Sequence, residues 1–152
     1  MKSPYYFNTV VIVYNNYNKF RFGSQIIIYL TDYKCDLCGN FVTFLTEKTP
    51  VTPVCCGQPM TEIKANTTDA AVEKHVPVVK TDGNKITVQV GATAHPMTEE
   101  HYIQFIIVET ENGYQKKDLK PGDAPCAEFV LADGQKPVCA YAYCNLHGLW
   151  KK

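Results

Sequence analysis

Beyond about residue 75 the hydrophobic positions fall into short runs separated by turn residues, the pattern of a β-rich domain. Ile86, Val88 and Val90 alternate with polar neighbours, as in a half-buried strand, while Tyr102 to Val108 is a mostly apolar run, as in a strand buried on both faces. Further runs cover Phe129 to Leu131 and Val138 to Tyr143. Asp82-Gly83-Asn84, Glu111-Asn112-Gly113, Pro121-Gly122-Asp123 and Asp133-Gly134 punctuate them. About seven short strands in this span predict an immunoglobulin-like antiparallel β-sandwich.

The preceding residues divide into three. Residues 1–25, rich in Tyr, Asn and Phe, lack a clear period and read as an N-terminal extension, a poorly ordered tail. Residues 26–63 open on the strand-like Ile26-Ile27-Ile28-Tyr29-Leu30 and carry four cysteines. Residues 64–152 form the sandwich domain. Ala65 to Val72 is a polar, alanine-rich connector in which Thr68 can cap a helical turn. Asn66-Thr67-Thr68 matches a glycosylation sequon, but nothing upstream reads as a secretory signal.

The 152 residues suffice for one full β-domain with a small module attached. Fifteen basic and fifteen acidic side chains balance, and no Lys/Arg block interleaved with aromatics stands out, so composition gives no support for a nucleic-acid partner. No apolar segment is long enough to cross a membrane as a helix. The apolar run Val10 to Val13 is too short for a signal-peptide core and precedes no small-residue cleavage site. A cytoplasmic location is therefore expected.

Seven cysteines, an odd number in CxxC and CC spacings, suit metal ligation better than disulfides. Cys35-Asp36-Leu37-Cys38-Gly39 and Cys55-Cys56-Gly57 supply four thiolates for a tetrahedral site. A glycine after each pair fits a metal knuckle, where the backbone turns with positive φ and points amides at sulfur. So small a segment buries too little apolar surface to fold alone, and the metal would supply the missing stability. Iron and zinc both fit four cysteines, and spacing does not separate them.

A second group lies further on. Cys144-Asn145-Leu146-His147 places a thiolate and an imidazole three residues apart, so both can ligate one metal ion. The other three histidines of the chain, His75, His95 and His101, stand at the ends of strand-like segments, where sandwich loops can bring them to Cys144. Four nitrogens and one sulfur would leave a sixth octahedral position open, the mark of a reactive site.

Glu73-Lys74-His75-Val76-Pro77, His95-Pro96-Met97-Thr98-Glu99-Glu100-His101-Tyr102 and Cys144-Asn145-Leu146-His147-Gly148-Leu149-Trp150 together resemble the superoxide reductase family. With the upstream Cys-x-x-Cys and Cys-Cys-Gly-Gln-Pro-Met, the chain is similar to the desulfoferrodoxins, the two-iron form of that family. The resemblance covers about residues 26–152.

It implies a rubredoxin-like electron-transfer iron held by Cys35, Cys38, Cys55 and Cys56. A second iron would have His75, His95, His101 and His147 in its equatorial plane and the Cys144 thiolate axial, with superoxide reduced to hydrogen peroxide on the opposite face. Lys74 would attract the anion and support its protonation through ordered water, and Glu73 would close onto the ferric iron after product leaves. The thiolate's electron density would help peroxide depart with its O–O bond intact. The resemblance also implies rubredoxin or a similar small protein as electron donor, and a homodimer.

Pro77 and Pro96, close after two of the ligands, are expected to stiffen their loops. Asn145 is expected to support the neighbouring metal thiolate. Cys126 and Cys139 match no ligand position and read as buried free thiols.

Three rival readings remain. A blue-copper electron carrier also uses a β-sandwich with Cys-x-x-His near its end, but no methionine follows Cys144 to serve as axial ligand, and four histidines are more than such a site uses. A zinc-stabilised binding protein would make both clusters structural. Dismutation of superoxide is not separated from its reduction by spacing alone.

Overall fold

A computed structural model describes residues 31–44 and 51–152. The extension 1–25 and the strand expected from Ile26 lie outside the described residues. The chain divides into two compact units, Met1–Ile63 and Lys64–Lys152.

In the first unit β1 (Thr31–Lys34) lies between β2 (Phe41–Phe44) and β5 (Thr61–Ile63), all antiparallel, and a two-residue ladder joins β3 (Val54–Cys55) to β4 (Gln58–Pro59). Its apolar centre consists of Tyr33, Cys35, Phe44 and Met60, with Val42 and Cys55 packed against it. Tyr33 and Phe44 meet edge to face, ring centroids 5.7 Å apart. Asp32, on the opposite face of β1 with Thr43, is also buried, and burial pushes its carboxyl up to about 6, while the hydroxyl of Thr43, donating at 2.8 Å, partly offsets the shift.

The second unit is the sandwich. One sheet holds β10 (Cys126–Val130), β7 (Lys85–Val90) and β6 (Pro77–Asp82) in that order; the other holds β12 (Gly148–Lys151), β11 (Pro137–Cys144), β8 (Ile103–Thr110) and β9 (Gly113–Asp118). Every pairing is antiparallel. The inward residues of both sheets form one core: Ile86, Val88 and Val90 from β7, Ala127 and Phe129 from β10, Ile103, Ile106 and Val108 from β8, and Ala140, Ala142 and Cys144 from β11. Fully burying each large aliphatic stabilises the fold by about 1.5–3 kcal/mol. The alternation read along 86–90 therefore faces this core, and the run 102–108 is buried on both faces, since Phe105 and Ile107 on the opposite side are also covered.

Two expectations need correction. The helical turn α1 (Val72–His75) begins after Ala71, which makes no side-chain cap, rather than at Thr68. Asn66 instead adopts a left-handed conformation, and its amide exchanges two hydrogen bonds with the backbone of Lys151 on β12. Nor are the two spare thiols buried: Cys126 is exposed and Cys139 half-buried. The pleat is the reason, because Ala127 and Phe129 take the inward positions of β10 and turn Cys126 to solvent. Among the described residues no helix is long and apolar enough to cross a membrane.

Two outcomes follow from this packing. Gly91 has φ +81°, and a Cβ there would meet the Thr93 carbonyl oxygen at 2.4 Å and that of Lys74 at 2.6 Å. Gly91→Ala is expected to lower sandwich stability by about 2 kcal/mol or more in chemical denaturation, strained conformation and backbone clash both contributing. Asp32→Asn keeps the acceptor for Thr43 and removes a charge that is costly to bury. With the folded pKa near 6 and the unfolded value at 3.8, the penalty is complete above pH 6 and absent below the unfolded value. The variant should therefore stabilise the small unit at pH 8 by about 1–3 kcal/mol and by roughly half as much at pH 5, measured by denaturation of the metal-loaded protein.

Candidate metal centres

The two cysteine pairs meet at the tips of the small unit. Cys35 N–H donates to the Asn40 carbonyl (2.8 Å) and Gly39 N–H to that of Cys35 (2.9 Å), which closes the first knuckle. Gly39 and Gly57 have φ of +76° and +77°, as a turn of this kind requires, and Cys56 itself is left-handed at +51°. The four sulfurs of Cys35, Cys38, Cys55 and Cys56 lie within 4.8 Å of one another. Cys38 and Cys55 sulfurs are 3.6 Å apart, Cys55 and Cys56 3.9 Å. Hydrogen bonds from the backbone of Cys38 and Leu37 hold the Cys35 thiol down to about 7, with burial opposing, whereas crowding by Cys38, Cys55 and Cys35 pushes Cys56 up to about 12. Four such thiols are costly to ionise together without a cation; a divalent or trivalent metal among them removes that cost.

The second cluster gathers at one end of the sandwich, and the ladders explain why. The start of β6 pairs with the end of β7 (Pro77 with Val90), so His75 just before one strand and His95 just after the other come together. The start of β8 pairs with the end of β11 (Ile103 with Cys144), which brings His101 to the Cys144 turn. The register slips between Tyr143 and Cys144, with Gln104 the extra residue on β8, so that Ile103 lies opposite Cys144. As a result the ligating atoms of His75, His95, His101, Cys144 and His147 all lie within 4.8 Å of one another.

Local hydrogen bonds fix which ring atoms face inward. His75 Nδ1–H donates to the Ala71 carbonyl at 2.7 Å, and His95 Nδ1–H to that of Pro96 at 2.6 Å. A carbonyl can only accept, so both rings turn an Nε2 lone pair to the cluster. His147 points its Nδ1 inward, 2.9 Å from His75 Nε2 and 3.6 Å from Cys144 Sγ. The Nε2 atoms of His95 and His101 are buried with no hydrogen-bond partner. Orphaned buried nitrogens on two neighbouring rings are costly by themselves, and a metal ion satisfies both.

Burial lowers the affinity of His75, His95 and His101 for protons, that of His95 to about 4, with the neighbouring histidines adding to the effect. Neutral imidazoles are what a metal requires. Burial raises the Cys144 thiol, and the amides of His147 and Leu146 work against it. A cation in the cluster would reinforce those amides and favour the thiolate. Four neutral nitrogens and one thiolate fit iron well, with one ligand negative charge against the metal's two or three.

Glu73 and Lys74 are exposed on α1, immediately before His75. The Glu73 carbonyl accepts from Thr93 N–H at 3.0 Å, which ties this turn to the His95 loop. Trp150 was not anticipated: its indole stacks on the His75 ring, centroids 4.8 Å apart, and its Nε1–H donates to the His147 carbonyl at 3.1 Å. Its place three residues after His147, at an inward position of β12, was the available signal. Asn145 bonds to the segment carrying His101.

Comparison with known proteins agrees with this geometry. The desulfoferrodoxin family profile matches residues 67–152, and that of the desulfoferrodoxin N-terminal domain matches residues 30–63. A desulfoferrodoxin homolog of Archaeoglobus fulgidus is 50% identical over 119 residues, 78% of this chain and 93% of the relative. The desulfoferrodoxin of Nitratidesulfovibrio vulgaris is 49% identical over 119 residues, 78% and 92% of the two chains. The crystal structure of the superoxide reductase from Treponema pallidum superimposes with a TM-score of 0.70 at 35% identity, over 81% of this chain and 98% of that one. With both domain profiles matched in order along one polypeptide, this chain belongs to the desulfoferrodoxin family.

Proposed function

We infer that this chain is a superoxide reductase, converting superoxide, one electron and two protons to hydrogen peroxide. The observation that carries the reading is the convergence of four histidines and Cys144 on one point, with two buried ring nitrogens left for a metal. Iron bound there would supply the electron and a sixth coordination position for the substrate.

The chain's own residues set the conditions. His75, His95, His101 and His147 are proposed as neutral ligands and Cys144 as the single anionic one, so the centre stays net positive and draws an anion. Lys74 adds a positive charge that steers superoxide to the face beside α1 and helps deliver protons through water. Glu73, next to it, is proposed to close onto the oxidised centre after product leaves. Cys35, Cys38, Cys55 and Cys56 are proposed to hold a second iron that passes electrons, which gives two irons per chain; zinc there would keep the catalytic site but remove the relay.

Residues 26–63 and 64–152 are accordingly read as an electron-transfer domain and a catalytic domain, preceded by the extension 1–25. A small redox protein as donor, a homodimer and a cytoplasmic location complete the reading. Seven unbridged cysteines support the last, since such thiols persist in reducing surroundings.

The test is to purify the protein without oxygen, count iron and zinc per chain, and add superoxide to the reduced form. Two irons, rapid oxidation of the His/Cys centre and peroxide without oxygen release are expected. Zinc in both sites, or iron that superoxide does not oxidise, would refute the catalytic reading; oxygen release in step with peroxide would mean dismutation. In the same assay Lys74→Ala should slow oxidation of the His/Cys centre by superoxide about tenfold or more, and the remaining rate should depend less steeply on ionic strength.

A further inference from the structure

The four histidines of the catalytic cluster are not held alike. His75 and His95 are fixed through their own rings, each by an Nδ1–H bond to a backbone carbonyl. His147 sits in the short turn after Cys144, and its carbonyl accepts from the Trp150 indole. His101 has no such ring bond: among the described residues no protein group hydrogen-bonds either of its ring nitrogens. Its Nε2 faces the cluster unpartnered.

What holds His101 is backbone, and one side chain does most of the holding. The Asn145 carboxamide accepts from Tyr102 N–H through Oδ1 at 2.9 Å and donates from Nδ2 to the Glu100 carbonyl at 2.8 Å. Asn145 N–H also donates to the Tyr102 carbonyl at 3.2 Å. These bonds flank His101 on both sides. Thr98 closes the same loop, its N–H donating to the His101 carbonyl at 2.9 Å and its hydroxyl accepting from His101 N–H at 3.1 Å. The β8–β11 ladder ends at Ile103 and Cys144 with a slipped register, so regular strand pairing cannot continue to residues 100–102. The Asn145 amide takes over where the ladder stops.

We propose that Asn145 is the positioning residue for His101, locking that ligand's backbone to the residue next to the Cys144 thiolate so that His101 and Cys144 keep their spacing as a unit. The inference rests on reading the five-donor cluster as the iron site. A carboxamide is required because it donates to one backbone group and accepts from another at once. Aspartate would keep the Tyr102 bond, lose the Glu100 bond and place a negative charge at an oxygen now 3.9 Å from Cys144 Sγ.

The experiment follows release of iron to a chelator from the iron-loaded full chain, with the four-cysteine centre of the same molecule as internal control. Asn145→Ala should release iron from the His/Cys centre about tenfold faster or more and shift its thiolate-to-iron absorption, leaving the four-cysteine centre unchanged. Asn145→Asp, one bond short, should fall between it and the unsubstituted protein, and it serves as the test should Asn145→Ala not fold. In a His101→Gln background, Asn145→Ala should add less than about twofold, because the residue it positions is gone. The proposal is overturned if either Asn145 variant releases iron at the unsubstituted rate, or if the Asn145→Ala effect persists at full size in His101→Gln. Should His101→Gln alone leave release unchanged, the ligand reading itself fails and the proposal with it.

Discussion

The register between β8 and β11 is the constraint on which the histidine–cysteine cluster depends. Pairing Ile106 with Ala142 and Val108 with Ala140 puts both strands' inward residues into one core, and one further step of β11, across the slip at Gln104, sets Cys144 opposite Ile103 at the ladder's end. A one-residue slip would turn Ala140, Ala142 and Cys144 out of the core. The hydrophobic pattern that makes the sandwich thus also fixes where the thiol lies. The β6–β7 ladder does the same for His75 and His95, so two independent strand pairs bring their ends to one edge.

The two centres solve the problem of gathering donors differently. Around the cysteines the backbone does the work locally: two knuckles, each turning at a glycine, bring four sulfurs together, and among the described residues four buried side chains form the core of this unit. Such a unit would owe much of its stability to an ion bound there. The histidine cluster, by contrast, is placed by a core of thirteen buried residues spread over both sheets, and the ring orientations of His75 and His95 are set by carbonyls of their own loops. Its donors are thus positioned by the sandwich core and by bonds within their own loops, the condition under which a ligand set can impose a coordination rather than adapt to one.

Much of this was legible in the sequence because the informative residues are of few kinds. Alternation along 86–90, the run at 102–108 and the turn signals at 82–84 and 111–113 located β7, β8 and their neighbours, and four histidines were few enough to be read as one set. The β9 strand gave little signal, since Gly113 to Asp118 is mostly polar and largely exposed. The fate of Cys126 depended on the phase of a five-residue strand, which the apolar run Phe129 to Leu131 did not fix. Thr68 resembled a cap, but the connector is pinned by Asn66 to β12, eighty-five residues away, a contact no local pattern encodes. Trp150 stood only as the last residue of the Cys144 motif; that its indole stacks on the His75 ring is set by the β11–β12 turn.

Burial and charge pull against each other at the cluster. Desolvation favours the neutral form of His75, His95 and His101, which suits ligation, but the same desolvation favours the protonated Cys144 thiol, which does not. Only a cation among these donors reconciles the two, since it prefers the neutral ring and the ionised sulfur alike. Two backbone amides, those of Leu146 and His147, already lean towards the thiolate, so the turn from Cys144 to His147 does more than supply two ligands. It lowers the cost of the one charge that the centre must carry, and leaves the charge of an approaching anion as the next that the site can accommodate.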